Sequence, residues 1–117
     1  MRAEAIVDLS AIKSNVELLK KTACTKLLAV VKADAYGHGL IPVAQAAISA
    51  GADYLGVALL EEAVTLREAG ISAPILAWLV QPGSDFAQAI ALDIDIAAAS
   101  LQALSEISLA SQQVQKK

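Results

Sequence analysis

Aromatic residues are scarce in this chain: one Trp, two Tyr and one Phe among 117 residues. So few flat side chains leave no platform for stacking bases or sugar rings. Cysteine is nearly absent too, since Cys24 stands alone and the single histidine, His38, follows too far on to complete a metal-ligand spacing. That excludes an internal disulfide and a zinc centre. Positive charge is sparse and dispersed: nine Lys and Arg against twelve Asp and Glu give a formal net charge of −3, with only Lys20-Lys21 and Lys116-Lys117 side by side. The balance argues against nucleic-acid binding. Long apolar runs are missing as well, because the uncharged stretches Gly39 to Ala52 and Ile71 to Ser84 contain proline and are too short to span a bilayer. Glu4 falls where a signal peptide would begin its apolar stretch, so a soluble, cytoplasmic protein is expected.

What is there is core material. Hydrophobic residues make up 56% of the chain and charged residues 18%, a composition that supports a packed domain and not disorder. The length is enough for one compact domain but is about half of the roughly 250 residues of a complete (β/α)8 barrel.

Along the chain, Ala5 to Val7 reads as a short strand, followed by a helix from about residue 10 to 21 with Ser10 placed to cap it. Leu27 to Val31 is a continuous apolar run, the pattern of a parallel strand buried on both faces. A glycine-bearing loop, Asp34 to Gly39, comes next. Leu40 to Ala50 has helical spacing, with Pro42 in its first turn and Gly51 as its stop. Tyr54 to Ala58 reads as a strand, Glu61 and Glu62 open a helix at its positive end, and Gly70 closes it after Arg67. The pattern continues through a strand after Pro74 (Ile75 to Leu79), a turn (Gln81 to Ser84), a helix (Asp85 to Leu92), a strand (Ile94 to Ala97) and a helix (Leu101 to Val114). Apolar strands alternating with helices define βα units on a parallel sheet. Periodicity alone leaves two architectures open, a flavodoxin-like open sheet and part of a closed barrel.

Lys32 breaks the apolar pattern. A lysine directly after a buried strand has a plain reading, in which the stem lies on apolar neighbours and the ammonium reaches water. It also has a chemical reading: active sites of parallel α/β proteins gather at the carboxyl ends of the strands, and a partly desolvated amine there attacks aldehydes to form a Schiff base. Arginine offers no such nucleophile.

The surrounding residues decide between them. Val30-Val31-Lys32-Ala33-Asp34-Ala35-Tyr36-Gly37-His38-Gly39 resembles the pyridoxal-phosphate lysine motif of alanine racemases. The resemblance runs on through Leu55-Gly56-Val57-Ala58, Glu61-Glu62-Ala63, Leu66 to Ile71 and Pro74-Ile75-Leu76, and so covers most of the chain in order. It implies an α/β fold in which residues 1–117 form about half of a (β/α)8 barrel, with the remaining barrel and a β-rich C-terminal domain lying outside this chain. It implies that Lys32 holds pyridoxal phosphate and serves as a base on the D-alanine side, and that Tyr36 binds the cofactor phosphate. Asp34 stands where many members carry Asn. His38 is expected to make a structural hydrogen bond within the turn.

The same resemblance implies a homodimeric enzyme that interconverts L- and D-alanine for peptidoglycan synthesis. Its second acid/base is a tyrosine of the C-terminal domain, matched by neither Tyr36 nor Tyr54, and its substrate-binding arginine falls beyond Lys117. This chain alone is therefore expected to be inactive. Two alternatives remain: a pyridoxal-phosphate-binding protein without catalysis, and an inactive truncated gene product.

Overall fold

Asp8 starts the first helix, α1 (Leu9–Ala23), by accepting hydrogen bonds at Oδ1 from the backbone N–H groups of Ser10 at 2.9 Å and Ala11 at 3.1 Å. The cap thus lies two residues before Ser10, because a carboxylate satisfies two of the unpaired first-turn donors at once. In the computed structural model, which describes residues 2–116, the chain then runs β1 (Leu28–Val30), α2 (Lys32–Gly37), α3 (Leu40–Ser49), β2 (Tyr54–Val57), α4 (Leu60–Glu68), β3 (Ile75–Ala77), α5 (Phe86–Ala91), β4 (Ile94–Ile96) and α6 (Leu101–Val114). The expected strand at Ala5 to Val7 is not formed. No described strand pairs with those residues, and Ile6 is 81% exposed.

The four strands are all parallel and lie in chain order, β1-β2-β3-β4, with Leu28 opposite Tyr54, Leu55 opposite Ile75 and Ile75 opposite Ile94. Strand order never reverses. A flavodoxin-like sheet needs such a reversal, so its topology is ruled out for the described strands.

One sheet face carries the core. Leu55, Val57, Ile75, Ala77 and Ile94 are buried with Ala63 and Leu66 of α4 and Phe86 and Ala89 of α5 in a single cluster. The other face is open. Leu28 and Val30 are 36% and 40% exposed, so the expected burial of this strand on both faces fails for β1, which lies at the sheet edge with nothing layered over that side. The more central β2 meets the expectation, with Leu55, Gly56 and Val57 all buried. Gly56 sits against Trp78 and Leu28, and a Cβ added to it would fall 2.6 Å from Leu28 Cδ2 and closer still to the Trp78 ring. A missing side chain lets the tryptophan lie across the strand.

The open face shows in the dimensions. The accessible surface is 7412 Å² where a compact protein of this mass exposes about 6,000 Å². The radius of gyration is 15.9 Å against about 13.4 Å for a closed globule of this length.

Two polar staples fix the other end of the layers. Arg67 of α4 donates to the carbonyls of Ile71, Ala73, Leu92 and Asp93 at 2.7 to 2.8 Å, tying the residues that lead into β3 and β4. Asp53, just before β2, pairs with Lys20 of α1 and accepts from Leu27 N–H at 2.7 Å. The Lys20 hydrogen bond foremost, with the Leu27 N–H, holds the Asp53 carboxyl below its ordinary range against an opposing contribution from burial. A carboxyl with a lowered folded-state pKa contributes stability above its unfolded value, about 3.9, and loses it as pH falls through the folded value. Asp53→Asn is therefore expected to lower stability at neutral pH and to flatten the decline below about pH 4, as read from urea midpoints across pH.

Candidate functional site

The backbone changes hand where β1 ends. Val31 N–H still bonds Gly56 O at 2.9 Å, but Ala33, Asp34, Ala35 and Tyr36 then take φ between 51° and 58°, one turn of left-handed helix. Gly37 and Gly39 continue at positive φ, 87° and 98°. An L-residue in this region costs about 1–2 kcal/mol, with Asp among the better tolerated, so the turn persists only because its surroundings hold it.

Hydrogen bonds within the turn and to its neighbours do so. Ala35 N–H donates to Val31 O at 2.9 Å and His38 Nδ1 lies 2.9 Å from Ala35 O, closing the turn on itself. Asp34 Oδ1 accepts from Leu40 N–H at 2.8 Å, capping the start of α3, and Glu62 Oε1 accepts from Ala33 N–H at 2.6 Å. The expected loop is thus an ordered turn, and His38 has the structural bond expected of it. Asparagine carries the same Oδ1 and also tolerates left-handed backbone, so it can fill position 34 in the same way. Asp34→Asn is expected to leave the unfolding free energy within about 0.5 kcal/mol, whereas Asp34→Ala is expected to cost about 1 kcal/mol or more, measured by urea unfolding.

The turn brings together the two residues that the motif singles out. Residues four apart on a helix share a face in either hand, and Lys32 Nζ accordingly lies 5.5 Å from the Tyr36 ring centroid. Lys32 is half-buried, Tyr36 is 61% exposed, and neither the Lys32 amine nor the Tyr36 hydroxyl is engaged in a hydrogen bond or ion pair among the described residues. Both stand at the carboxyl edge of the sheet. Tyr54 opens β2 at the opposite edge, opposite Leu28, so the two tyrosines are not brought together.

Glu62 was legible in the sequence only as a helix opener. Its Oε2 does cap α4, accepting from Ala58 N–H at 3.0 Å and Leu59 N–H at 2.9 Å, but its second oxygen crosses to Ala33. No local spacing announces that bridge, because Ala33 and Glu62 meet only through the β1–β2 pairing. No group of three or more His, Cys, Asp or Glu among the described residues is placed to hold a metal ion, and no described helix is long and apolar enough to cross a membrane.

Parallel strands in unbroken order with helices on one face define an α/β unit of the kind that makes up part of a (β/α)8 barrel, and Lys32 stands at the carboxyl edge, where such barrels carry their active sites. Residues 7–117 match the family described as alanine racemase, N-terminal domain, and the chain belongs to that family. A protein of Mycolicibacterium smegmatis named alanine racemase is 51% identical over 113 residues, which are 96% of this chain and 29% of that protein. The crystal structure of alanine racemase from D-cycloserine-producing Streptomyces lavendulae superposes with a TM-score of 0.91 at 44% identity, covering 93% of this chain and 29% of that one. The alanine racemase of Corynebacterium glutamicum gives a TM-score of 0.82 at 46% identity, over 85% of this chain and 29% of that one. This chain therefore spans about three-tenths of the length of the relatives it matches.

Proposed function

We propose that this chain is the cofactor-attaching part of an alanine racemase, with Lys32 as the residue that holds pyridoxal phosphate and Tyr36 as a ligand of its phosphate. The observation that carries the reading is the Lys32 amine at the carboxyl edge of the sheet, above the Tyr36 ring and without an ion-pair partner among the described residues. The residues fit the group: a primary amine free of any carboxylate condenses with an aldehyde, and a free phenol can donate to a phosphate oxygen. When bound, pyridoxal phosphate supplies an electron sink that acidifies the α-hydrogen of an amino acid. Lys32 Nζ, free again once the amino group of the substrate has taken its place on the cofactor, would accept and return that proton on the face it occupies.

Exchange between L- and D-alanine also needs an acid/base on the opposite face. Tyr54 is at the wrong edge of the sheet and Tyr36 lies beside Lys32, so neither supplies it. The complete enzyme we infer is a cytoplasmic homodimer that makes D-alanine for peptidoglycan, with the opposing group outside residues 1–117. The 117-residue chain is expected to take up pyridoxal phosphate at Lys32 without turning over alanine. Incubation with the cofactor, borohydride reduction and peptide mapping test the first half, and a chiral alanine assay tests the second. Absence of a reduced adduct on Lys32 overturns the reading, and turnover that Lys32→Ala abolishes overturns the division between anchor and activity.

A further inference from the structure

Of the carboxylates among the described residues, Glu62 alone bonds to the backbone beside Lys32. Ala33 N–H belongs to the peptide group that also contains the Lys32 carbonyl, so the acceptor that holds it sets the rotation of that peptide plane and with it the frame from which the Lys32 side chain departs. Ala33 lies in the first turn of α2, where a helix of either hand leaves its N–H groups without internal partners. Glu62 Oε1 fills that need at 2.6 Å, while Oε2 stays on Ala58 and Leu59. A single carboxylate thus joins the exits of two adjacent strands.

The bridge has a rigid root. Leu66, four residues on from Glu62 along α4, is fully buried in the main cluster, and Val31 N–H pairs with Gly56 O on the strand that precedes Ala58. The root of Glu62 and its Oε2 end therefore rest on elements set by the core, and Oε1 reaches from them to the turn. The left-handed turn, by contrast, is strained, and Glu62 is the acceptor that reaches it from another element.

We propose that Glu62 is a positioning residue for Lys32, holding the Lys32–Ala33 peptide so that the amine stands clear of the sheet edge for its carbonyl partner. A residue that only capped α4 would affect stability and leave the reactivity of Lys32 relative to other lysines alone. The proposal rests on the reading of Lys32 as the pyridoxal-phosphate lysine, and the experiment separates the two.

The 117-residue chain and its Glu62→Gln and Glu62→Ala variants are exposed briefly to pyridoxal phosphate and reduced, and the adducts on Lys32 and on exposed Lys26 are counted by mass spectrometry. Hydrogen exchange at the Ala33 amide is followed in parallel. In the unsubstituted chain Lys32 is expected to dominate. Glu62→Ala is expected to lower the Lys32-to-Lys26 ratio by about tenfold, the order set by losing one hydrogen bond to a charged acceptor, with faster exchange at Ala33. Glu62→Gln, which keeps the side-chain length and one acceptor oxygen, is expected to fall between. No preference for Lys32 in the unsubstituted chain overturns the reading of the site and the proposal with it. A preference that both variants keep unchanged overturns the positioning role alone, as does a loss that comes with general unfolding in both.

Discussion

Alanine in place of Lys32, in a full-length enzyme carrying this segment, is expected to lower racemisation by about a thousandfold or more, the scale of a lost general base. Lys32→Arg is expected to restore none of it. Arginine keeps the charge and could still lie over the Tyr36 ring, but it has no nucleophilic amine and does not give up its proton. The two variants therefore separate the attraction of the cation to the ring, which Arg preserves, from the chemistry of the amine, which it does not. Chiral chromatography of alanine after overnight incubation reads the result. Turnover of the arginine variant near that of the unsubstituted enzyme would remove Lys32 from the chemistry.

The second large effect lies in the core. Leu66 is fully enclosed among side chains of the sheet and its helices, and Leu66→Ala is expected to cost about 3 kcal/mol through lost burial and the cavity left behind. In a domain with one sheet face uncovered that is a heavy fraction of a total seldom above about 15 kcal/mol. The urea midpoint of the 117-residue chain is the measurement, and a shift worth under about 1 kcal/mol would mean that α4 is not anchored as described. Leu66 and Glu62 are one helical turn apart, so the same substitution loosens the carboxylate that reaches Ala33.

The regular part of this architecture is written locally. Alternating apolar runs, Gly51 and Gly70 at helix ends and acids in the first turn of α4 place the βα units within a residue or two, since each signal acts over a single turn. The hand of α2 is not written that way. Nothing in Ala33-Asp34-Ala35-Tyr36 favours positive φ except Asp34, and the turn is imposed by acceptors at Val31, at Glu62 and within the turn itself. Ala5 to Val7 fails for a complementary reason: a strand exists only with a neighbour, and an apolar triplet cannot say whether one is at hand. The choice between an open sheet and a barrel segment was likewise invisible to periodicity, and strand order settled it. Lys32 and Tyr36 were legible as a motif. Their meeting at 5.5 Å follows from a helical turn of either hand where the sequence reads as a loop.

That turn has a stereochemical consequence. Backbone at φ near +50° is strained for an L-residue and relaxed for its mirror image. A synthetic chain with the D-enantiomer at exposed Ala33 is therefore expected to shed backbone strain that the natural residue carries. The segment we assign to inverting alanine is itself one where the backbone is shaped for the other hand.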